Sequence, residues 1–207
     1  MKPRLRGVSH QYAFFVAIAA GAALVALAQG LHARVAVAVY ALSLSAMFGA
    51  SALYHRIDWP PRPRVWLRRL DHAMIYVLIA GTYTPFALLV LAPALGWTIL
   101  GVVWAGALAG IMLSLVWIDA PRWLSAALYV MLGWVSVVVV PQLWDRAGVM
   151  AVALLATGGV LYSIGAVVYA RRRPDPAPRV FGYHEVFHVF VIMAATAHFA
   201  AVALATI

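Results

Sequence analysis

Seven apolar stretches of membrane-spanning length follow one another in this chain, at about 12–30, 35–55, 71–91, 95–117, 123–142, 147–170 and 183–205. About 20 helical residues, rising 1.5 Å each, cross a hydrocarbon core of about 30 Å, so each stretch is long enough to span. Strands are disfavoured because the segments are too long, rich in Ala and not alternating in polarity. Composition agrees: 66% of the residues are hydrophobic and 10% charged, where soluble domains sit near half apolar and a quarter charged. A soluble domain of 207 residues has too little interior to hide that much apolar surface. The expected fold is an all-α membrane protein, a seven-transmembrane helix bundle forming a single integral membrane domain over 1–207. Pro60, Pro61 and Pro63 end the second span, and Pro174, Pro176 and Pro178 follow the sixth. The first stretch follows Lys2, Arg4 and Arg6 and reads as a transmembrane helix rather than a signal peptide.

Orientation follows from the cations. With the N-terminus inside, thirteen of the 15 Lys and Arg residues fall on the cytoplasmic side, leaving Arg34 and Arg146 outside. The positive-inside rule therefore predicts a cytoplasmic N-terminus and an external C-terminus. The net charge of +9 serves topology and anionic lipid headgroups here, not nucleic acid. The bias to Arg and Ala suggests a high-GC bacterium, and hence the inner membrane. Six Trp residues (Trp59, Trp66, Trp97, Trp117, Trp123 and Trp144) fall near predicted span ends, as interfacial anchors do. Gly106 and Gly110 permit close packing of helices but say little about dimerisation.

Ionisable residues within spans are costly and are functional candidates. Ser51 and His55 end the second span, Asp71 and His72 begin the third, and His184, Glu185 and His188 begin the seventh. The alternation of spans brings all three groups to the cytoplasmic depth. His184 and His188, four residues apart, project from one helical face one turn apart. With no cysteine in the chain, a transition metal must take nitrogen and oxygen ligands. Two imidazoles plus His55 would make the three-ligand set of a catalytic zinc, with water in the fourth position. Ser51, one turn from His55, and Asp71 are placed to hydrogen-bond that water or to orient a ligand. The competing reading of Asp71 is a helix cap or a partner for Arg68. His184-Glu185-Val186-Phe187-His188 also matches H-E-x-x-H, in which Glu185 would be a general base. His198 lies about 21 Å beyond His184 along the last helix, too far to share an ion, and is expected to hydrogen-bond or line a cavity. His10 and His32 read as loop residues, and His72 is expected to pair away from Asp71.

Ser51-x-x-x-His55, Arg69-Leu70-Asp71-His72 leading to Ala80-Gly81-Thr82-Tyr83-Thr84-Pro85-Phe86, and His184-x-x-x-His188 with His198 beyond together resemble the hemolysin III family. That family comprises bacterial relatives of the progestin and adipoQ receptors and, more distantly, of alkaline ceramidases. The resemblance covers essentially the whole chain. It implies seven helices, zinc held by His55, His184 and His188, Asp71 as the polar partner near the metal, and Ser51 in the same motif. An acid after the first His of the pair is not required in that superfamily, which weakens the protease reading of Glu185. The long cytoplasmic N-terminal region of animal adiponectin receptors is missing, so hormone recognition is not carried over.

Four functions compete. The first is a zinc-dependent hydrolase of a lipid amide or ester, ceramidase-like and linked to membrane lipid homeostasis, with membrane lipid as its partner and Asp71 or Glu185 shuttling the proton. The second is a non-enzymatic sensor of membrane state with structural zinc. The third is pore formation or cytolysis, which no sequence feature favours. The fourth is an intramembrane metalloprotease that requires Glu185.

Overall fold

A computed structural model describes residues 2–207, and most of them are helical. The helices are α1 (Val8–Leu27), α2 (Gly30–Arg56), α3 (Pro61–Leu89), α4 (Pro93–Val116), α5 (Arg122–Trp134), α6 (Val140–Arg171) and α7 (Tyr183–Thr206). A 3₁₀ segment, Val135–Val139, joins α5 to α6. Among the described residues there is no strand, only a single bridge between Ala177 and Phe181. Proline sets several starts: Pro61 and Pro93 occupy the first helical positions of α3 and α4, where the missing N–H costs nothing.

Six helical stretches are long and apolar enough to cross a membrane, with mean hydropathy from 1.4 to 2.3; in that count 122–171 is one continuous piece of 50 residues. Gly148 interrupts this piece with φ 82° and ψ 165°, a backbone conformation essentially confined to glycine. On either side of it the chain lies against itself. The Trp134 indole donates to Ser163 Oγ at 3.0 Å, and the Arg122 guanidinium sits over the Tyr169 ring. Large apolar side chains face outward, Leu31, Val116 and Tyr12 among them, as a lipid-facing surface requires. Trp66, Trp97, Trp117, Trp123 and Trp144 are exposed. Gly106 and Gly110 serve contacts within the chain: a Cβ at either would press on Leu132 or on the Tyr76 ring.

Helices adjacent in sequence pack side by side, and α7 returns to touch α1, α2 and α3. That closure brings the end of α2 to the starts of α3 and α7. A short N-terminal arm crosses the same end of the bundle. The Arg4 and Leu5 amides donate to the Arg179 and Val180 carbonyls, both at 3.1 Å, and Lys2 Nζ pairs with Asp58 at 2.8 Å. Arg6 forms an ion pair with the buried Glu185. Gly7, at φ 76°, turns the arm into α1, and its Cα packs so closely on the His55 side chain that a Cβ would collide.

Candidate metal centre

His55 is the penultimate residue of α2, which stops before the Asp58-Trp59-Pro60-Pro61 sequence. His184 and His188 occupy the first two turns of α7, which begins at Tyr183. Two contacts fix that start: the Glu185 carboxylate accepts the Gly182 N–H at 2.8 Å, and Asp175 accepts the Tyr183 N–H at 2.8 Å. The His55 and His184 Nε2 atoms are 3.1 Å apart. One nitrogen each from His55, His184 and His188 lies within 4.8 Å of the others. His55 and His188 are buried and His184 half-buried.

The three imidazoles are placed so that they could hold a metal ion. The Nδ1 of His188 is buried without a hydrogen-bond partner among the described residues, a cost that an ion at the cluster or a bound water would relieve. Neutral imidazoles facing one another can share protons only pairwise, whereas a cation accepts a lone pair from each. Tetrahedral zinc with Zn–N bonds of about 2.0–2.1 Å sets ligand nitrogens roughly 3.3 Å apart, close to the observed His55–His184 spacing. Imidazole ligands suit zinc, copper, iron or nickel.

Asp71 Oδ2 lies 3.6 Å from His55 Nε2, and Asp71 also stands beside the Ser51 hydroxyl. Ser51 in turn bonds to His10 Nδ1 at 2.8 Å. The expectation that His10 is a loop residue is wrong: it is buried in α1, and its ring stacks on His188 with centroids 3.7 Å apart and planes 10° from parallel. Helix α1 starts at Val8, four residues before the apolar stretch does, and so takes His10 into its first turn. His32 does lie exposed near the start of α2. His72 turns to the cavity wall, and its carbonyl accepts the Tyr129 hydroxyl at 3.4 Å. His198 donates through Nε2 to the Leu155 carbonyl at 3.1 Å and also lines the cavity. Glu185 is buried beside the cluster, and its carboxylate holds Gly182 and Arg6.

One cavity of about 230 Å³ runs from this cluster into the bundle. Ser51, Asp71, His184 and His188 line one end, and Phe86, Ile99 and Leu143 line it further in. Between them the wall is mostly apolar, with Thr82, Tyr83, Tyr162 and His198 among its polar side chains. Asp71 and Phe86 are 15 residues apart on α3, so the cavity follows that helix for about 22 Å.

Comparison with known proteins places the chain in a family. Residues 1–199 match the family model described as Haemolysin-III related. The chain is 35% identical to Hemolysin-3 of Bacillus cereus over 160 residues, 77% of this chain and 70% of that protein. It is 34% identical to the Hemolysin-3 homolog of Bacillus subtilis (strain 168) over 161 residues, 78% and 72% of the two chains. The monocyte to macrophage differentiation factor of Homo sapiens is 25% identical over 205 residues, 94% of this chain and 80% of that one.

Proposed function

Since this chain belongs to the Haemolysin-III related family of multi-pass membrane proteins, we propose that it binds zinc through His55, His184 and His188 and hydrolyses a lipid amide or ester. We place it in the bacterial inner membrane, with seven spans in one domain, its N-terminus and metal site at the cytoplasmic side and its C-terminus outside. The seventh span comes from dividing 122–171 at Gly148, with Trp134–Ser163 and Arg122–Tyr169 as contacts of the resulting hairpin. Thirteen cations against two support the orientation.

The observation that carries the hydrolase reading is the cavity: an apolar slot about 22 Å long with imidazoles and a carboxylate at one end. An acyl chain fits such a slot, and its carbonyl would then lie at the polar end. Zinc held there would polarise that carbonyl and lower the pKa of a bound water to about 7. The chain's own residues do the rest. His55, His184 and His188 fix the position of the ion, and the apolar wall excludes bulk water. Asp71 Oδ2, on the cavity wall, takes a proton from the nucleophilic water and returns it to the departing amine or alcohol. Ser51, held by His10, orients that carboxyl group.

A second reading is zinc as a structural tie in a non-enzymatic sensor of membrane state; its support is that the triad joins α2 to α7, helices 129 residues apart in sequence. The protease reading needs a free Glu185, whose carboxylate is occupied by Gly182 and Arg6. The cytolytic reading needs a wide polar pore, and the cavity among the described residues is apolar.

The test is metal content of the purified protein in detergent, wild type against His188→Ala, followed by turnover of a panel of lipid amides and esters. Near one zinc per chain, lost in the variant, together with hydrolysis that Asp71→Asn abolishes, is expected. Stoichiometric zinc without turnover of any lipid would favour the structural reading, and metal-free wild type would end both.

A further inference from the structure

A second polar station lies deeper in the same cavity, beyond the reach of the histidine cluster. His198 of α7 and Tyr162 of α6 both line the cavity, their rings edge to face with centroids 5.4 Å apart. His198 Nε2 is 3.1 Å from the Leu155 carbonyl. A carbonyl only accepts, so Nε2 carries the proton and Nδ1 is left as an acceptor. The fold makes room for this ring: a Cβ at Gly158 would collide with the imidazole. The Tyr40 hydroxyl, close to Tyr162, is fully buried and without a partner among the described residues.

Polar groups inside a membrane bundle are expensive unless satisfied. An imidazole acceptor beside a phenol on a mostly apolar wall is met best by a ligand group that both donates and accepts. A hydroxyl does this: its proton goes to His198 Nδ1, and its oxygen accepts the Tyr162 hydroxyl proton. A plain hydrocarbon satisfies neither group.

We propose that His198 and Tyr162 form a subsite for a hydroxyl carried in mid-chain by the lipid whose head occupies the histidine cluster. This rests on the reading of the cavity as a lipid site. The ten residues from His188 to His198 on one helix span about 15 Å, the reach of roughly a dozen extended methylenes. The recognised hydroxyl therefore sits near carbon 12, counted from the carbonyl. The cavity selects hydroxylated acyl chains over unsubstituted ones by a contact remote from the reacting bond.

The test is calorimetric binding of stearate, 12-hydroxystearate and 6-hydroxystearate to the purified full-length protein in nanodiscs, wild type and Tyr162→Phe. Wild type binds 12-hydroxystearate about thirtyfold more tightly than stearate, the worth of two neutral hydrogen bonds, and shows no such preference for the 6-hydroxy isomer. Tyr162→Phe keeps its stearate affinity, and its preference falls to about fivefold, the bond to His198. Equal binding of all three acids by wild type would overturn the subsite and leave the lipid cavity standing. A preference undiminished in Tyr162→Phe would also overturn it. If none of the acids binds, the lipid reading of the cavity falls and the subsite falls with it.

Discussion

His10 touches His188 by stacking and Ser51 through Nδ1, so it holds two members of the site in place while lying outside the ligand set. Groups that orient metal ligands contribute about 10–100-fold to affinity. His10→Ala is therefore expected to weaken zinc binding about tenfold, read by competition with a chromophoric chelator in detergent. His10→Phe restores the stacked ring without the bond to Ser51 and should recover only part of that loss. Wild-type affinity in both variants would reduce His10 to packing. Arg6 gives a second test. Arg6→Ala leaves Glu185, 2% exposed, without its cation, and removing one partner of a buried pair costs about 3 kcal/mol. A lowered unfolding transition is expected, largely restored by adding Glu185→Gln, with zinc retained throughout. The triad itself was legible because i, i+4 spacing and alternating topology are both properties of sequence. The pairing of Arg6 with Glu185, 179 residues apart, was not: proximity of that kind exists only after α7 has closed on α1. His10 was recoverable in principle, since α1 begins at the same end as α3 and α7, and the depth argument applied to those helices applies to it.

Among the elements, α5 and its continuation differ most from expectation. The fifth span was expected over 123–142, yet helical structure runs from Arg122 through the 3₁₀ segment and past Pro141 to the break at Gly148. Pro141 lacks an N–H and crowds the carbonyl one turn back, so the turn before it tightens to 3₁₀ instead of ending the span. The Tyr83 hydroxyl braces that turn by accepting the Ser136 N–H at 2.7 Å. Proline here marks a local change of pitch inside the expected span. The true stop is a glycine in a conformation closed to other residues. Gly148→Ala should accordingly lower stability by about 1–3 kcal/mol, measured as the shift of the unfolding transition in detergent. No change on substitution would mean that the chain does not turn there.

At the scale of the molecule, helical class and membrane residence were legible in hydropathy alone, and the exposed outward Leu, Val and Trp side chains bear this out. What hydropathy could not supply was the order of packing around the bundle, or the cavity, since an apolar residue reads alike whether it faces lipid, a neighbouring helix or a slot. The proposed orientation has its own test. A reporter active only outside the inner membrane, fused after Ile207, should be active in cells, and the same reporter placed after Ala177 should be silent. The reverse pattern would invert the bundle and move the histidine site to the other face.

The N-terminal arm that links Lys2 to Asp58, Arg4 to Arg179 and Arg6 to Glu185 also imposes an order of events during synthesis. His10, Ser51, His55, Asp58 and Asp71 leave the ribosome early, while His184, His188 and the arm's other anchors, Arg179, Val180 and Glu185, emerge late in the chain. Throughout insertion the early half of the site waits at the membrane face with its partners unmade. The arm is therefore fully docked only once α7 is made, because a chain truncated before it keeps Asp58, Arg179 and Val180 but lacks Glu185, His184 and His188.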